Sequence, residues 1–419
     1  MSTSEAIDTF IEGIGGWVAS QLEACVRCGI CAEACPFYQV TRKPEFAPVW
    51  KIELLRRAYR QKCTLAGRLL TALGLQRRVE DEDLSEWSRI VYEACSLCNR
   101  CAMACPMGIQ IGPLVREVRN GLAAAGVMPD DLKAVVQKQI DKGSPLGVTD
   151  KVFEDRLEWV ADEWGVTIPI DEEGADTLVV FTSIEIMKFP KNIADIARIL
   201  DAAGESWTLS RKGREGINWG IYEGSAEHTK LFLNRVLGAA RDLRVKRIMV
   251  TECGNAYEAL RWIAPNLVDV PADLEITHVV AMLAEYIRTG RIRLKEGAAD
   301  AGGVITFHDS CKIQRRGGLI EEPRQILKVI APRSFREMSP NKEAATCCGG
   351  GGGVAGIKAA DEYRYAVFGL KLNQIRAIQA DVVTMACANC RLQFLDGVAH
   401  FNSDLKVRGL SEMVAEALV

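Results

Sequence analysis

The sequence predicts an α+β fold: a helical N-terminal domain followed by two small α/β units in tandem. Three observations predict it. Amphipathic helical stretches dominate the first 130 residues. From residue 176 onward, short β-rich runs alternate with helical stretches, the pattern of parallel α/β layers. The second half also repeats itself. The run LVVFTS at 178–183 resembles VITFHD at 304–309, and each leads to a helix ending in Ile-Leu, at 199–200 and 326–327. Glu252-Cys253-Gly254-Asn255-Ala256 then lines up with Ala386-Cys387-Ala388-Asn389-Cys390. The expected bounds are 1–130 for the helical domain, 131–175 for a connector, 176–295 for the first α/β unit and 303–419 for the second.

Composition narrows the function classes. The 419 residues suit two or three domains. With 48% hydrophobic and 26% charged residues, the balance is that of a soluble globular protein. A formal charge of −3 provides no global basic field, which argues against nucleic acid as a partner. No uninterrupted apolar stretch of membrane-spanning length occurs. The N-terminus lacks a basic region followed by an apolar core, so no secretory signal is expected. The 15 cysteines are odd in number and sit in a chain without an export signal. Reduced thiolates holding metal explain them better than a disulfide framework.

The elements follow in order. Residues 1–24 read as a helix, with Ile7, Phe10, Ile11, Ile14, Trp17 and Val18 at helical spacing. A cysteine block occupies 25–35. A helix is expected over 48–73, with Ile52, Leu55 and Tyr59 on one face and Gly74 ending it. Residues 51–78 hold eight Lys or Arg against one Glu, and 80–86 hold five acidic residues. The basic stretch reads as a solvated helix face, with an acidic partner or a phospholipid surface as the alternative. A second cysteine block spans 95–105. Pro113 opens a helix bearing Leu114, Val118 and Leu122, with Gly126 just past its end. Strand-like runs stand at 177–181, 247–251, 304–307 and 382–385, and helical ones at 192–203 and 322–330.

The two cysteine blocks share one spacing. Cys25-x2-Cys28-x2-Cys31-x3-Cys35-Pro36 and Cys95-x2-Cys98-x2-Cys101-x3-Cys105-Pro106 each follow the bacterial ferredoxin pattern for a [4Fe–4S] cube. Two-residue gaps let a tight loop aim three thiolates at one cube, and the proline turns the chain away. In two-cluster ferredoxins the fourth cysteine of each run serves the other cube. That expectation puts Cys25, Cys28, Cys31 and Cys105 on one cubane cluster and Cys95, Cys98, Cys101 and Cys35 on the other. A pair of zinc sites would more commonly show two C-x2–4-C pairs. The N-terminal domain is thus expected to be a helical, two-cluster ferredoxin-like electron wire.

The remaining cysteines form a second constellation: Cys311, then Cys347-Cys348-Gly349, then Cys387-x2-Cys390. Five thiolates exceed what one zinc or one ordinary cube needs. The pattern resembles the CCG motif of HdrB and HdrD, the CCG-bearing components of heterodisulfide reductases. The order of two ferredoxin runs and then two CCG units resembles HdrD over nearly the whole chain. The resemblance implies that Cys311, Cys347, Cys348, Cys387 and Cys390 hold one noncubane [4Fe–4S] cluster that cleaves sulfur–sulfur bonds. The first CCG unit departs from that family. Cys253 is its one cysteine, Ser183 or its neighbourhood stands at the first ligand position, Gly216–Gly220 replaces the paired cysteines, and Ala256 the last ligand. No cluster is expected there. The Asn218-Trp219-Gly220 and Glu252–Tyr257 segments look like those of the DsrK and TmcB branch.

By that resemblance the chain is an oxidoreductase acting on sulfur groups. It would relay electrons between a membrane b-type cytochrome subunit (DsrM- or HdrE-like) and a disulfide or trisulfide on a small sulfur carrier (DsrC-like). It would sit on the cytoplasmic side of the membrane, peripherally, through its partner. The alternative is the iron–sulfur electron-transfer subunit of a glycolate, lactate or glycerol-3-phosphate dehydrogenase. Cys253, at a ligand position of the repeat, is a candidate extra ligand or thiol partner of the active cluster, or else a packed core thiol. His308, three residues before Cys311, is a candidate proton donor or a core histidine. Lys312 is a candidate anion holder or a solvated lysine. Cys63 reads as structural or incidental. The glycines at 351, 353 and 356 match G-x-G-x-x-G but follow no hydrophobic strand, so no nucleotide is expected. They read as room for backbone to approach a cluster.

Overall fold

The computed structural model describes residues 3–419, with side chains from residue 6 onward. It divides into two compact units. The first comprises Met1–Val136 together with Trp219–Glu227 and Thr346–Leu370; the second comprises Gln137–Asn218, His228–Ala345 and Lys371–Val419.

The first unit is helical. Where one helix over 1–24 is expected, two stand, Thr3–Glu12 and Gly16–Ala24, interrupted where Gly13, Gly15 and Gly16 weaken helical continuity. Residues 1 and 2 lie outside the described part. The helix expected over 48–73 is three: Pro48–Lys51, Glu53–Cys63 and Leu65–Ala72. The last break is a cap, because the Thr64 side chain accepts from Gly67 N at 3.1 Å. Gly74 follows with φ +71°, as a helix-ending glycine does. Helix Ile111–Ala124 starts two residues before Pro113 and ends just before Gly126, at φ +74°. It packs against Thr3–Glu12.

The basic stretch is only partly a solvated face. Lys51 and Arg56 are buried, and Arg57 reaches Asp83 at 3.1 Å while stacking on Trp87 at 4.9 Å. Three of the eight basic residues are thus taken up inside the unit, while Arg60, Lys62, Arg68, Arg77 and Arg78 stay exposed.

The second unit holds two parallel sheets. The first has order β2-β1-β3-β4: β1 is Thr177–Val180, β2 Trp207–Thr208, β3 Arg247–Val250 and β4 Glu275–His278. The second has order β5-β6-β7: β5 is Ile305–Phe307, β6 Val382–Met385 and β7 Lys406–Gly409. Strands β2, β4 and β7 escape the sequence reading because they are short or carry charge; Glu275, Lys406 and Arg408 all lie in them.

The repeat is visible in the backbone. Cys253 and Cys387 each cap the helix after the central strand, with φ, ψ of −140°, 107° and −144°, 111°. With these two superposed, Val180 pairs with Val250 where Phe307 pairs with Thr384. Leu178 thus corresponds to Ile305, one residue away from the match suggested by the sequence. The position equivalent to Cys311 is Ile184. A one-residue shift in a strand exchanges its faces, so similar apolar runs align equally well either way in sequence. Helix Lys191–Ala202 packs on Leu410–Glu416, and its counterpart Glu322–Ile330 packs on Val279–Thr289. These reciprocal contacts join the copies through one shared core that includes Ile193, Ile196, Leu283, Ile326 and Val414. Burying each such side chain stabilises by about 1.5–3 kcal/mol.

Candidate iron–sulfur sites

Each ferredoxin-type run bends through two left-handed residues, Arg27 and Gly29 in the first and Leu97 and Asn99 in the second. In the first run the intervening Val26 and Ile30 face outward, whereas in the second Ser96 and Leu97 are buried. The Asn99 side chain secures the second loop, accepting from Gly112 N at 3.0 Å and donating to Gln110 at 2.8 Å.

Two cavities result. Cys25, Cys28, Cys31 and Cys105 line one, with Val26, Val49, Met107 and Ile109. Cys35, Cys95, Cys98 and Cys101 line the other, with Phe37, Pro48 and Leu97. Each thus gathers three thiols of one run and the last of the other. Burial pushes the Cys31 thiol up to about 11; thiolates at Cys25, Cys105 and Cys28 add to the rise, and the Val49 backbone opposes it. Burial likewise raises Cys101 well above its ordinary value, with Cys98, Cys35 and Cys95 adding. Four thiolates in an apolar wall repel one another and lack solvent. A multivalent cationic centre removes that cost, so the donor set fits a cluster.

A charged residue that sequence reasoning missed stands at the second cavity. Lys51 is 1% exposed, its Nζ lies 3.6 Å from Cys35 Sγ, and it donates to the Ala94 carbonyl. Burial disfavours its charge, but the thiolates at Cys35, Cys95 and Cys101 outweigh this and raise its pKa. Arg119 was missed as well. It is fully buried on the apolar face of helix Ile111–Ala124. A basic residue interrupting an apolar stripe is the sequence signal for both.

The five later candidates are divided between the units. Cys347 and Cys348 belong to the first unit and are buried. Gly349 N donates to Cys347 Sγ at 3.4 Å, in keeping with glycine serving close backbone approach to sulfur. In the second unit, Cys311 follows β5, Cys387 caps the helix Ala388–His400 that follows β6, and Cys390 lies in the first turn of that helix. His308 is buried, its ring lies 4.8 Å from that of Phe394 at a tilt of 49°, and a ring nitrogen lies within 4.8 Å of Cys390 Sγ.

Cys253 is buried beside this group. Its Sγ accepts from Ala256 N at 3.4 Å, and burial first, then the nearby Cys387 thiolate, raises its pKa well above the ordinary value. The peptide bond Glu252–Cys253 meets Cys387–Ala388 directly, Ala388 N donating to Glu252 O at 2.6 Å. In the first copy, protein fills the corresponding space. A Cβ on Gly216 would lie 2.9 Å from Val180 and 3.1 Å from Ala256, the residue at the Cys390 position. Glu215 accepts from Ile217 N and Ser183 N, and Glu185 from Thr182 N, Thr251 Oγ1 and Asn192 Nδ2.

Lys312 is neither solvated nor offered to a ligand. It is buried and ion-paired with Glu258, which Arg316 also holds at 2.5 Å. Cys63 is exposed at the end of its helix. Among the described residues, no helix is long and apolar enough to cross a membrane.

Known proteins share this layout. The 4Fe-4S dicluster domain family matches residues 21–109, and the cysteine-rich CCG domain family matches residues 305–395. The Hdr-like menaquinol oxidoreductase iron-sulfur subunit 2 of Archaeoglobus fulgidus is 27% identical over 95% of this chain and 80% of its own length. The HdrD polypeptide of the dihydromethanophenazine:CoB--CoM heterodisulfide reductase of Methanosarcina barkeri is 27% identical over 95% of this chain and 94% of its own. The EtfAB:quinone oxidoreductase of Syntrophomonas wolfei is 25% identical over 99% of this chain and 61% of its own. A crystal structure of a hypothetical Helicobacter pylori protein shares the fold, with a TM-score of 0.51 at 12% identity over 84% of this chain and 67% of that one. Fold, cysteine sets and relatives define an iron–sulfur electron-transfer oxidoreductase. More particularly, the chain is an HdrD-like iron–sulfur protein with a CCG domain.

Proposed function

We propose that this chain is the sulfur-reacting iron–sulfur subunit of a membrane-linked oxidoreductase, carrying two cubane clusters and one noncubane cluster. The observation that carries the reading is the pairing, on one chain, of two four-cysteine cavities with a CCG domain whose match spans all of Cys311, Cys347, Cys348, Cys387 and Cys390. The cavities would relay single electrons. A noncubane cluster, when bound, supplies an open iron for a substrate sulfur and accepts electrons one at a time. Breaking a disulfide takes two electrons and leaves two thiolates, one held at iron and one needing a proton.

The chain's own residues suit the second half of that balance. Cys253, beside Cys387, is a thiol held protonated by burial, and His308 lies beside Cys390. We assign Cys253 to the departing sulfur and His308 to its proton. The first CCG copy, with Ile184, Gly216–Asn218 and Ala256 in place of ligands, would hold no cluster. The domain bounds proposed are those of the repeat, 176–295 and 303–419 for the two CCG units. By likeness to the DsrK and TmcB branch, the sulfur substrate would be a disulfide or trisulfide on a small DsrC-like carrier. The electron partner would be a membrane b-type cytochrome subunit, with this chain held peripherally on the cytoplasmic face through it.

The test is reductive turnover of a small disulfide or a protein trisulfide by anaerobically purified protein with an artificial donor. Turnover that disappears in Cys348→Ala while both cubes remain supports the reading. A second reading, in which a partner subunit carries the substrate, is favoured by the relative named for EtfAB and quinone. Cube reduction without sulfur turnover would select it, and with it a dehydrogenase-type partner.

A further inference from the structure

Within the first unit, one junction joins the second cavity to the paired cysteines. Cys95 lines that cavity, and the next residue, Ser96, is buried with its Oγ 3.2 Å from Cys347 Sγ. The glycine run after Cys348 packs directly on this serine. A Cβ on Gly352 would sit 2.6 Å from the Ser96 carbonyl carbon, and Gly352 has φ +66°, so both space and backbone require glycine. Arg119 closes the junction. Its guanidinium donates to Cys95 O at 2.8 Å and to Gly352 O at 2.7 Å, and also to Val91 O and Tyr222 O. One buried side chain therefore ties the loop of a cavity cysteine to the loop of the paired cysteines.

The first cavity differs in its setting. Cys28 is exposed there, and Val26 and Met107 on its wall are 66% and 50% exposed. It opens to solvent, where an external donor can approach.

We infer that the centre held by Cys35, Cys95, Cys98 and Cys101 is the one that exchanges electrons with the CCG centre, and that Ser96, aimed by Arg119, is the contact between them. This rests on Cys347 being a cluster ligand, as in the proposed function. With clusters bound, one electron would cross per event, oxidising the cavity centre by one and reducing the CCG centre by one, with no bond at Ser96 formed or broken; the centre of the first cavity would replace it. Ser96 and Arg119 are positioning residues. The serine hydroxyl, donating to the Cys347 sulfur, stabilises the more negative reduced state and so raises that centre's potential.

Ser96→Ala removes the hydroxyl with almost no change of volume. In the anaerobic full-length protein the expected result is unchanged iron content and unchanged spectra of both cubes. The midpoint potential of the CCG centre should fall, and electron arrival there after rapid reduction of the cubes should slow several-fold, followed by freeze-quench paramagnetic resonance. Ser96→Thr should restore the potential. A present CCG centre with parental potential and parental arrival rate in Ser96→Ala overturns the junction and leaves the proposed function standing. Absence of any third centre in the parent protein overturns both.

Discussion

At the residue scale, the most informative side chain is Lys51. A buried cation 3.6 Å from a cluster-facing thiol favours whichever state of that centre is more negative. At an effective dielectric of about 20, unit charges a few ångströms apart interact by roughly 4 kcal/mol. Lys51→Met should therefore lower the midpoint potential of the Cys35-side cube and leave the Cys25-side cube unmoved, as followed by redox titration. Equal shifts of both cubes, or none, would contradict this role. Cys253 gives the second residue-scale expectation. Cys253→Ala should keep iron content and both cubes intact while sulfur-substrate turnover drops by roughly tenfold or more, about 1.4 kcal/mol of barrier. If Cys253 only packs, turnover per CCG centre will equal that of the parent and the loss will appear in thermal stability.

At the element scale, the two loops and the two repeat copies make separate claims. Crossed walls in the cavities mean that Cys35→Ser should damage the cube otherwise held by Cys95, Cys98 and Cys101. Damage confined to the Cys25 cube would reverse the assignment. The first copy carries the buried carboxyl groups Glu185 and Glu215. Burial is the main cause that lifts Glu185 and Glu215 to about 7, against several hydrogen bonds that oppose it. The folded chain thus holds protons that the unfolded chain releases near 4.5, so stability falls as pH rises from about 4.5 through 7. The cost is on the order of 3 kcal/mol per group at most. The thermal midpoint should be higher at pH 6 than at pH 8, and Glu215→Gln should flatten that slope. A midpoint independent of pH would contradict it.

These elements also mark how far the sequence could be read. The cysteine runs were legible because cluster geometry demands their spacing, and the repeat because Cys253 and Cys387 close equivalent strands. The one-residue shift of β1 against β5 was not legible, since LVVF and VITF satisfy either register. Lys51, Arg119 and Lys312 were hidden for another reason. A charged residue reads as solvated unless a partner is known, and their partners are thiols, carbonyls or Glu258, all remote in sequence.

At the scale of the whole molecule, the proposed function has two cubane centres supply electrons to a CCG centre that reacts with sulfur. The central claim is three clusters on one chain. The measurement that tests it most directly is iron and zinc content of anaerobically reconstituted protein, combined with paramagnetic resonance of the oxidised sample after thiol addition. Three clusters predict about twelve irons per chain, no stoichiometric zinc and a thiol-dependent signal distinct from both cubes that disappears in Cys348→Ala. About eight irons with no such signal, or zinc bound at Cys311, Cys347, Cys348, Cys387 and Cys390, would contradict it.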